Sequence, residues 1–159
     1  MISTLQKPLD SGFGQKTEPY EIIKELDLSD KNIIITGGYS GIGLETTKAL
    51  KKANAKVIVP AKRLNHAKSI LDGIVPQNDI YELNLADLNS VMSFVELFSQ
   101  LNIKLDILIN NAGIMACPET RVGNNWESQF GINHIGHQLL LKQLMNKFRA
   151  DGQSRFISL

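Results

Sequence analysis

The stretch "TGGYSGIG", Thr36 to Gly43, stands between an aliphatic run, "NIII" (32 to 35), and a segment of helical character, "GLETTKALKKA" (43 to 53). Its placement decides the reading more than its glycines do. A turn from strand to helix presents unpaired backbone N–H groups and the positive end of the helix dipole, and glycines let a pyrophosphate approach the backbone closely. Gly43 falls where the new helix must lie near the sheet. Glycines at 37, 41 and 43 differ from the commoner G-x-G-x-x-G spacing, and no Lys-Ser/Thr pair follows Gly43, which argues against a mononucleotide P-loop. The plainer alternative is a glycine turn with a structural role only.

Working outward, "NIIIT" (32 to 36), "KVIVPA" (56 to 61), "DIYEL" (79 to 83), "DILIN" (106 to 110) and "RFISL" (155 to 159) are short β-branched or aliphatic runs, with helix-like segments between them. The clearest helix spans 87 to 101, where Asp87 can cap the free N–H groups and Leu88, Val91, Phe94, Val95 and Phe98 share one face. Strand and helix in alternation require right-handed crossovers and a parallel sheet covered on both faces. The expected fold is therefore α/β: a Rossmann-type doubly wound parallel sheet in strand order 3-2-1-4-5, cut short after the fifth strand. Residues 1 to 30, polar and turn-rich, read as an N-terminal extension with a short helix in "EPYEIIKEL". Residues 31 to 159 read as one nucleotide-binding domain, incomplete at its C-terminal end.

Composition narrows the partners. Seventeen Lys plus Arg against 16 Asp plus Glu leave a formal net charge of +1, which gives no electrostatic reason to expect nucleic acid or an anionic membrane. No apolar run approaches the roughly 20 residues that span a bilayer. One cysteine, Cys117, cannot form an internal disulfide, and the opening residues lack a secretory pattern, so a cytoplasmic setting is expected.

A second motif, "NNAG" (Asn110, Asn111, Ala112, Gly113), follows the fourth strand. In a doubly wound sheet that strand lies beside the first, across the switch point where ligands bind. Two separate motifs thus converge on one crevice. Taken alone, Asn-Asn-Ala-Gly would be an ordinary turn.

"TGGYSGIG", then "NNAG", then "NHIGH" (133 to 137) together resemble the short-chain dehydrogenase/reductase family, and more narrowly its retinol-dehydrogenase-like bacterial members. The likeness runs from about Leu9 to Leu159 and includes "SGFG" and "NNAGIMACPETRVG". It implies an NAD(P)-dependent oxidoreductase of alcohols and carbonyls on a Rossmann sheet, with a Ser, Tyr-x-x-x-Lys and Asn catalytic group. Residue by residue, it makes the turn of Gly37, Tyr39, Ser40, Gly41, Ile42 and Gly43 the pyrophosphate cradle. It makes Asn111, Ala112 and Gly113 the wall near the adenine ribose. Asn84 and Leu85 match the adenine-side position, where Asn84 replaces the family's usual Asp; an amide can both donate and accept there.

The end of the second strand bears on the choice of cofactor. A carboxylate there suits NAD, whereas a 2′-phosphate wants Arg or Lys. "VIVPAKRLN" offers Lys62 and Arg63 and no acid until Asp72, so NADP is expected and NAD is the less favoured cofactor. Simple solvation of the two cations at a strand end is the alternative.

Asn133 is the one matched catalytic position. A helix expected over about 124 to 148 aligns Trp126, Phe130, Asn133, His137, Leu140 or Leu141, Leu144 and Phe148, which places Asn133 on a buried face. A buried amide must be satisfied, and the resemblance assigns it support of a proton-relay water; a structural Asn is the alternative. Gly131 and Gly136 suggest local distortion or close packing. His134 and His137 lack a supporting carboxylate or Cys cluster, so no metal is expected.

The run "RFISL" aligns with the family strand that leads to the catalytic Ser, one or two residues short of it, and Ser158 is not the matching serine. Tyr20 and Lys24 in "YEIIK" have the Tyr-x-x-x-Lys spacing but precede the first strand and read as one face of a short helix. The expectation is an oxidoreductase chain lacking the catalytic Ser, Tyr and Lys and inactive alone. The rival readings are a non-catalytic NADP-binding regulatory module and an inert remnant of an interrupted gene. Self-association through an exposed fifth strand and the Asn133 helix is a further expectation.

Overall fold

Alternation of side chains along the aliphatic runs sets the layers. The computed structural model describes residues 11–159; residues 1 to 10, including Leu9 and the start of the expected extension, lie outside the described residues. Strands β1 (Asn32–Ile35), β2 (Lys56–Ala61), β3 (Ile80–Glu82) and β4 (Ile107–Asn110) alternate with helices α2 (Gly41–Lys52), α3 (Leu64–Ile70) and α4 (Leu88–Gln100), after a short α1 (Pro19–Ile23). Next come a hairpin of β5 (Arg121–Val122) and β6 (Trp126–Glu127), a π-helical segment (Phe130–Gly136), α5 (His137–Leu144) and β7 (Arg155–Ser158). The main sheet runs in the order β3-β2-β1-β4-β7, every pairing parallel. This is the expected 3-2-1-4-5 order, with β7 as the fifth sheet strand.

Because the sheet is covered on both faces, its strands are apolar at successive positions. Ile34, Ile58 and Leu108 face one layer, where α4 and α5 contribute Phe94, Phe98, Leu140 and Leu144. Ile33, Ile35, Val57, Val59 and Ile109 face the other, against Ala67 and Leu71. Each such side chain, removed from water, contributes about 1.5–3 kcal/mol. Asp87 caps α4 by accepting the Asn89 N–H at 2.9 Å, and Val91, Phe94, Val95 and Phe98 are buried as expected.

At the opposite end of the sheet from the glycine turn, Asp106 is only 2% exposed. One of its oxygens accepts the Asn32 N–H at 2.9 Å, and the other meets Arg149 Nε at 2.6 Å. The carboxylate thus joins the starts of β1 and β4 to the chain leaving α5.

The expected helix over 124 to 148 is corrected in two respects. Its first residues form the β5–β6 hairpin, whose Glu127 carboxylate then accepts the N–H groups of Gln129 and Phe130, each at 2.9 Å. Those bonds, the Gln129 one foremost, hold the Glu127 carboxyl below the ordinary carboxylate range. Further on, the π winding of 130–136 inserts a step of five into the buried row, which runs Gly131, Gly136, Leu140, Leu144. Phe130 and Asn133 therefore fall off the buried row, and Asn133 is exposed, contrary to the uniform 3.6-residue stripe.

Both glycines of that segment are placed by close packing. A Cβ on Gly131 would collide with Val122, and one on Gly136 with the Leu85 carbonyl. The Tyr20 ring lies beneath Lys52 Nζ, 4.8 Å from the ring centroid, against α2. The residues of β7 are all exposed, Phe156 and Ile157 among them. Among the described residues, no helix is long and apolar enough to cross a membrane.

Candidate functional site

The turn from β1 to α2 takes its shape from Gly37 (φ +67°) and Gly41 (φ +52°), in the left-handed region that glycine enters without a Cβ penalty. Helix α2 then starts with no side-chain cap. Its first return bond comes from the Leu44 N–H to the Ser40 carbonyl at 3.1 Å, which leaves the N–H groups of Gly41, Ile42 and Gly43 ahead of it unpaired within the helix. The floor beneath is crowded. A Cβ on Gly43 would strike Asn111 Nδ2 and the Gly37 carbonyl, and one on Gly37 would come within 3.0 Å of Ala112 Cα.

The opposite wall is the loop after β4, and Thr36 holds it. The buried Thr36 hydroxyl accepts the N–H of Asn111 at 3.0 Å and of Ala112 at 2.9 Å, while Asn111 Nδ2 donates to the Thr36 carbonyl at 2.8 Å. Two adjoining hollows result. One is bounded by Tyr39, Ser40, Gly41, Ile42, Gly43 and Asn111; the other by Pro60, Lys62, Leu83, Asn84, Leu85, Ile114 and Ile132; both share Gly37, Tyr39, Ala112 and Gly113. They form one crevice at the carboxyl ends of β1, β2 and β4, as the two motifs imply.

The structure brings Gly37, Tyr39, Ser40, Gly41, Ile42, Gly43, Lys62, Asn84, Leu85, Asn111, Ala112 and Gly113 to this crevice. Arg63 stands one residue beyond Lys62 at the start of α3, exposed and outside the crevice lining. Tyr39 packs edge-on against His66 of α3, centroids 6.2 Å apart, and so links the turn to that helix. Asn84 Oδ1 folds back to accept the Ala86 N–H at 3.2 Å, which uses one of its two lone pairs and leaves the other, with the Nδ2 group, for a ligand.

Asn133 turns its side chain to the wall loop. Its Oδ1 accepts the Ile114 N–H at 2.9 Å and its Nδ2 donates to the Ile114 carbonyl at 2.8 Å. The amide thus grips the wall loop at two points. Sequence reasoning missed three contributors here: the Thr36 hydroxyl, Ile114, and His137. His137 is 5% exposed, with Nε2 2.9 Å from Thr36 Oγ1 and Nδ1 3.1 Å from the Asn133 carbonyl. The four-residue interval in "NHIGH" was the available signal. Among the described residues, no group of three or more His, Cys, Asp and Glu is arranged to hold a metal ion.

Burial pushes the His137 imidazole below the ordinary histidine value of 6.5, partly offset by its bond to the Asn133 carbonyl. The folded chain therefore keeps it neutral, whereas the unfolded chain takes up a proton below that value. Its contribution is fully present above pH 6.5 and is lost as pH falls through the lower folded value. Thermal unfolding should show it: between about pH 7.5 and pH 5.5 the wild type should lose about 2–4 °C more in Tm than His137→Gln.

A model of the family described as short chain dehydrogenase matches residues 31–158. Among curated proteins, the chain is 39% identical over 148 residues to Short-chain dehydrogenase TIC 32 B, chloroplastic, of Brassica napus, covering 90% of this chain and 46% of that protein. It is 34% identical over 134 residues to Retinol dehydrogenase 13 of Homo sapiens, covering 81% and 40%. The chain thus spans less than half the length of these relatives. Among solved structures, a 3-ketoacyl-(acyl-carrier-protein) reductase from Brucella melitensis complexed with NADH matches with TM-score 0.63 and 27% identity, over 80% of this chain and 55% of that one. A metagenomic short-chain oxidoreductase in complex with NADP shares the fold, with TM-score 0.70 at 20% identity over 82% of this chain and 62% of that one.

Proposed function

The chain belongs to the short-chain dehydrogenase family, and from that premise we propose that its crevice binds an NAD(P) dinucleotide, NADP in preference, for hydride transfer between an alcohol and a carbonyl. The observation that carries this reading is the floor of the glycine turn, where a Cβ on Gly43 would collide with Asn111 Nδ2 and the Gly37 carbonyl, so that glycine alone seats the start of α2 against the wall loop with its first three N–H groups unpaired within the helix. A diphosphate suits such a place, since it accepts hydrogen bonds and complements the helix dipole. The nicotinamide, when bound, supplies or accepts the hydride.

The chain's own residues hold and orient. Gly41, Ile42 and Gly43 would offer N–H groups to the diphosphate, and Asn111, Ala112 and Gly113 would form the ribose wall. Leu85 would cover the adenine ring, with the Asn84 amide at its edge. Lys62, at the crevice, and Arg63, beside it, would receive a 2′-phosphate. Asn133 would act by fixing Ile114, whose side of the crevice continues toward Ile132. The single cysteine, unpaired and half-buried, accords with a reducing cytoplasmic setting.

Fluorescence titration of the purified chain with NADPH and with NADH tests this reading. Saturable binding with NADPH the tighter is expected, and absence of saturable binding by either sinks it. Replacing both Lys62 and Arg63 by Ala should weaken NADPH about tenfold or more and leave NADH unchanged, after discounting charge-assisted hydrogen bonds for solvent screening at an exposed site. Equal losses for both cofactors would remove the 2′-phosphate assignment.

A further inference from the structure

The Thr36 hydroxyl carries one proton and two acceptor lone pairs. Both acceptor positions are taken, by the Asn111 and Ala112 N–H groups at 3.0 and 2.9 Å. Its proton is thus left for the third neighbour, His137 Nε2 at 2.9 Å, which must be the bare nitrogen. The ring proton then sits on Nδ1, which faces the Asn133 carbonyl at 3.1 Å, an acceptor only. Every polar atom in this chain of five residues has one compatible role. Reversing the imidazole tautomer would set an N–H against a saturated oxygen and a lone pair against a carbonyl.

We propose that His137, held as the Nδ1–H tautomer, is the positioning residue that joins the dinucleotide crevice to the π-helical segment carrying Asn133. Through Thr36 it fixes the wall at Asn111 and Ala112; through Asn133, whose side chain grips Ile114, it fixes the next stretch of the same wall. The loop from 111 to 114 is thereby pinned from both sides by one buried ring. A ligand that needs this wall in place binds more weakly when the ring cannot fill both roles. This last step rests on the crevice being a dinucleotide site, whereas the tautomer follows from the hydrogen bonds alone.

Two measurements on the full chain separate those parts. In nitrogen-15 NMR of histidine-labelled protein, with His137 assigned by its loss in His137→Gln, Nε2 should give the unprotonated signal and Nδ1 the protonated one. In Thr36→Val the Nε2 resonance should shift as it loses its donor. An Nε2–H tautomer, or a signal indifferent to Thr36→Val, overturns the proposal whether or not any cofactor binds. For coupling, NADPH titration compares His137→Gln, whose amide can accept from Thr36 and donate to Asn133, with His137→Leu, which can do neither. A loss of about tenfold or more for Leu and less than about threefold for Gln is expected. Equal affinities in the two variants overturn the coupling. Should the Leu variant fail to fold, the Gln variant carries the test: affinity within about threefold of wild type is expected, and failure of Gln to retain it refutes the proposal. If the wild type itself binds no NADPH, the cofactor reading fails while the NMR result still decides the tautomer.

Discussion

Gly43→Ala should reduce NADPH affinity by at least about a hundredfold, the largest functional effect of any single methyl group in this chain. The added Cβ would strike both Asn111 Nδ2 and the Gly37 carbonyl. Neither can move cheaply. Asn111 Nδ2 is bound to the Thr36 carbonyl at 2.8 Å, and Gly37 sits at φ +67° with Ala112 packed beneath it. Relief must come from displacing the start of α2, which carries the N–H groups a diphosphate would meet. Loss of two such bonds, each about 1.5–3 kcal/mol when made to a charged group, corresponds to about a hundredfold or more. Titration with NADPH and a thermal melt together check the result. Affinity close to wild type in a folded Gly43→Ala protein would contradict the placement of the diphosphate.

Asp106→Ala should have the largest effect on stability, about 3 kcal/mol, read as a fall in Tm of about 6–12 °C. The carboxylate is almost wholly shielded from water, accepts the Asn32 N–H and lies 2.6 Å from Arg149 Nε. Its removal strands a backbone donor at the start of β1 and a guanidinium that must turn to solvent. Asp106→Asn, which can still accept from Asn32, should fall between. Cofactor affinity, measured below the melting range, should change little, because Asp106 lies at the far end of the sheet from the crevice. A small change in Tm with a large change in binding would reverse this assignment.

What the sequence disclosed, and what it hid, follows from the length over which each physical signal accumulates. The sheet order was readable because Ile33 to Ile35, Val57 to Val59 and Leu108 to Ile109 must bury both faces, which writes uninterrupted apolar runs. Helix α4 was readable because Asp87 caps it and four buried side chains keep the 3.6 period over thirteen residues. The crevice was readable because glycines at 37, 41 and 43 occupy positions where a Cβ or a negative φ fails. By contrast, β5 and β6 have two residues each, too few to show alternation. Asn133 was misplaced because the stripe drawn through it assumed uniform winding. The bond from the Ala86 N–H to the Asn84 oxygen had no mark in the sequence, because it depends on the local turn after β3. His137 passed as one more residue on an apolar stripe, since the partner that defines its role, Thr36, lies 101 positions away.

The wider winding of residues 130 to 136 has a consequence for how this region can vary. Gly131 meets Val122, Gly136 meets Leu85, and His137 meets Thr36, so three distant parts of the chain read off successive marks on one ruler. Shortening that ruler by a single residue would leave each mark chemically intact yet rotate all those beyond it away from their counterparts. A replacement at one mark disturbs one of these contacts, whereas an insertion or deletion displaces every contact beyond it at once.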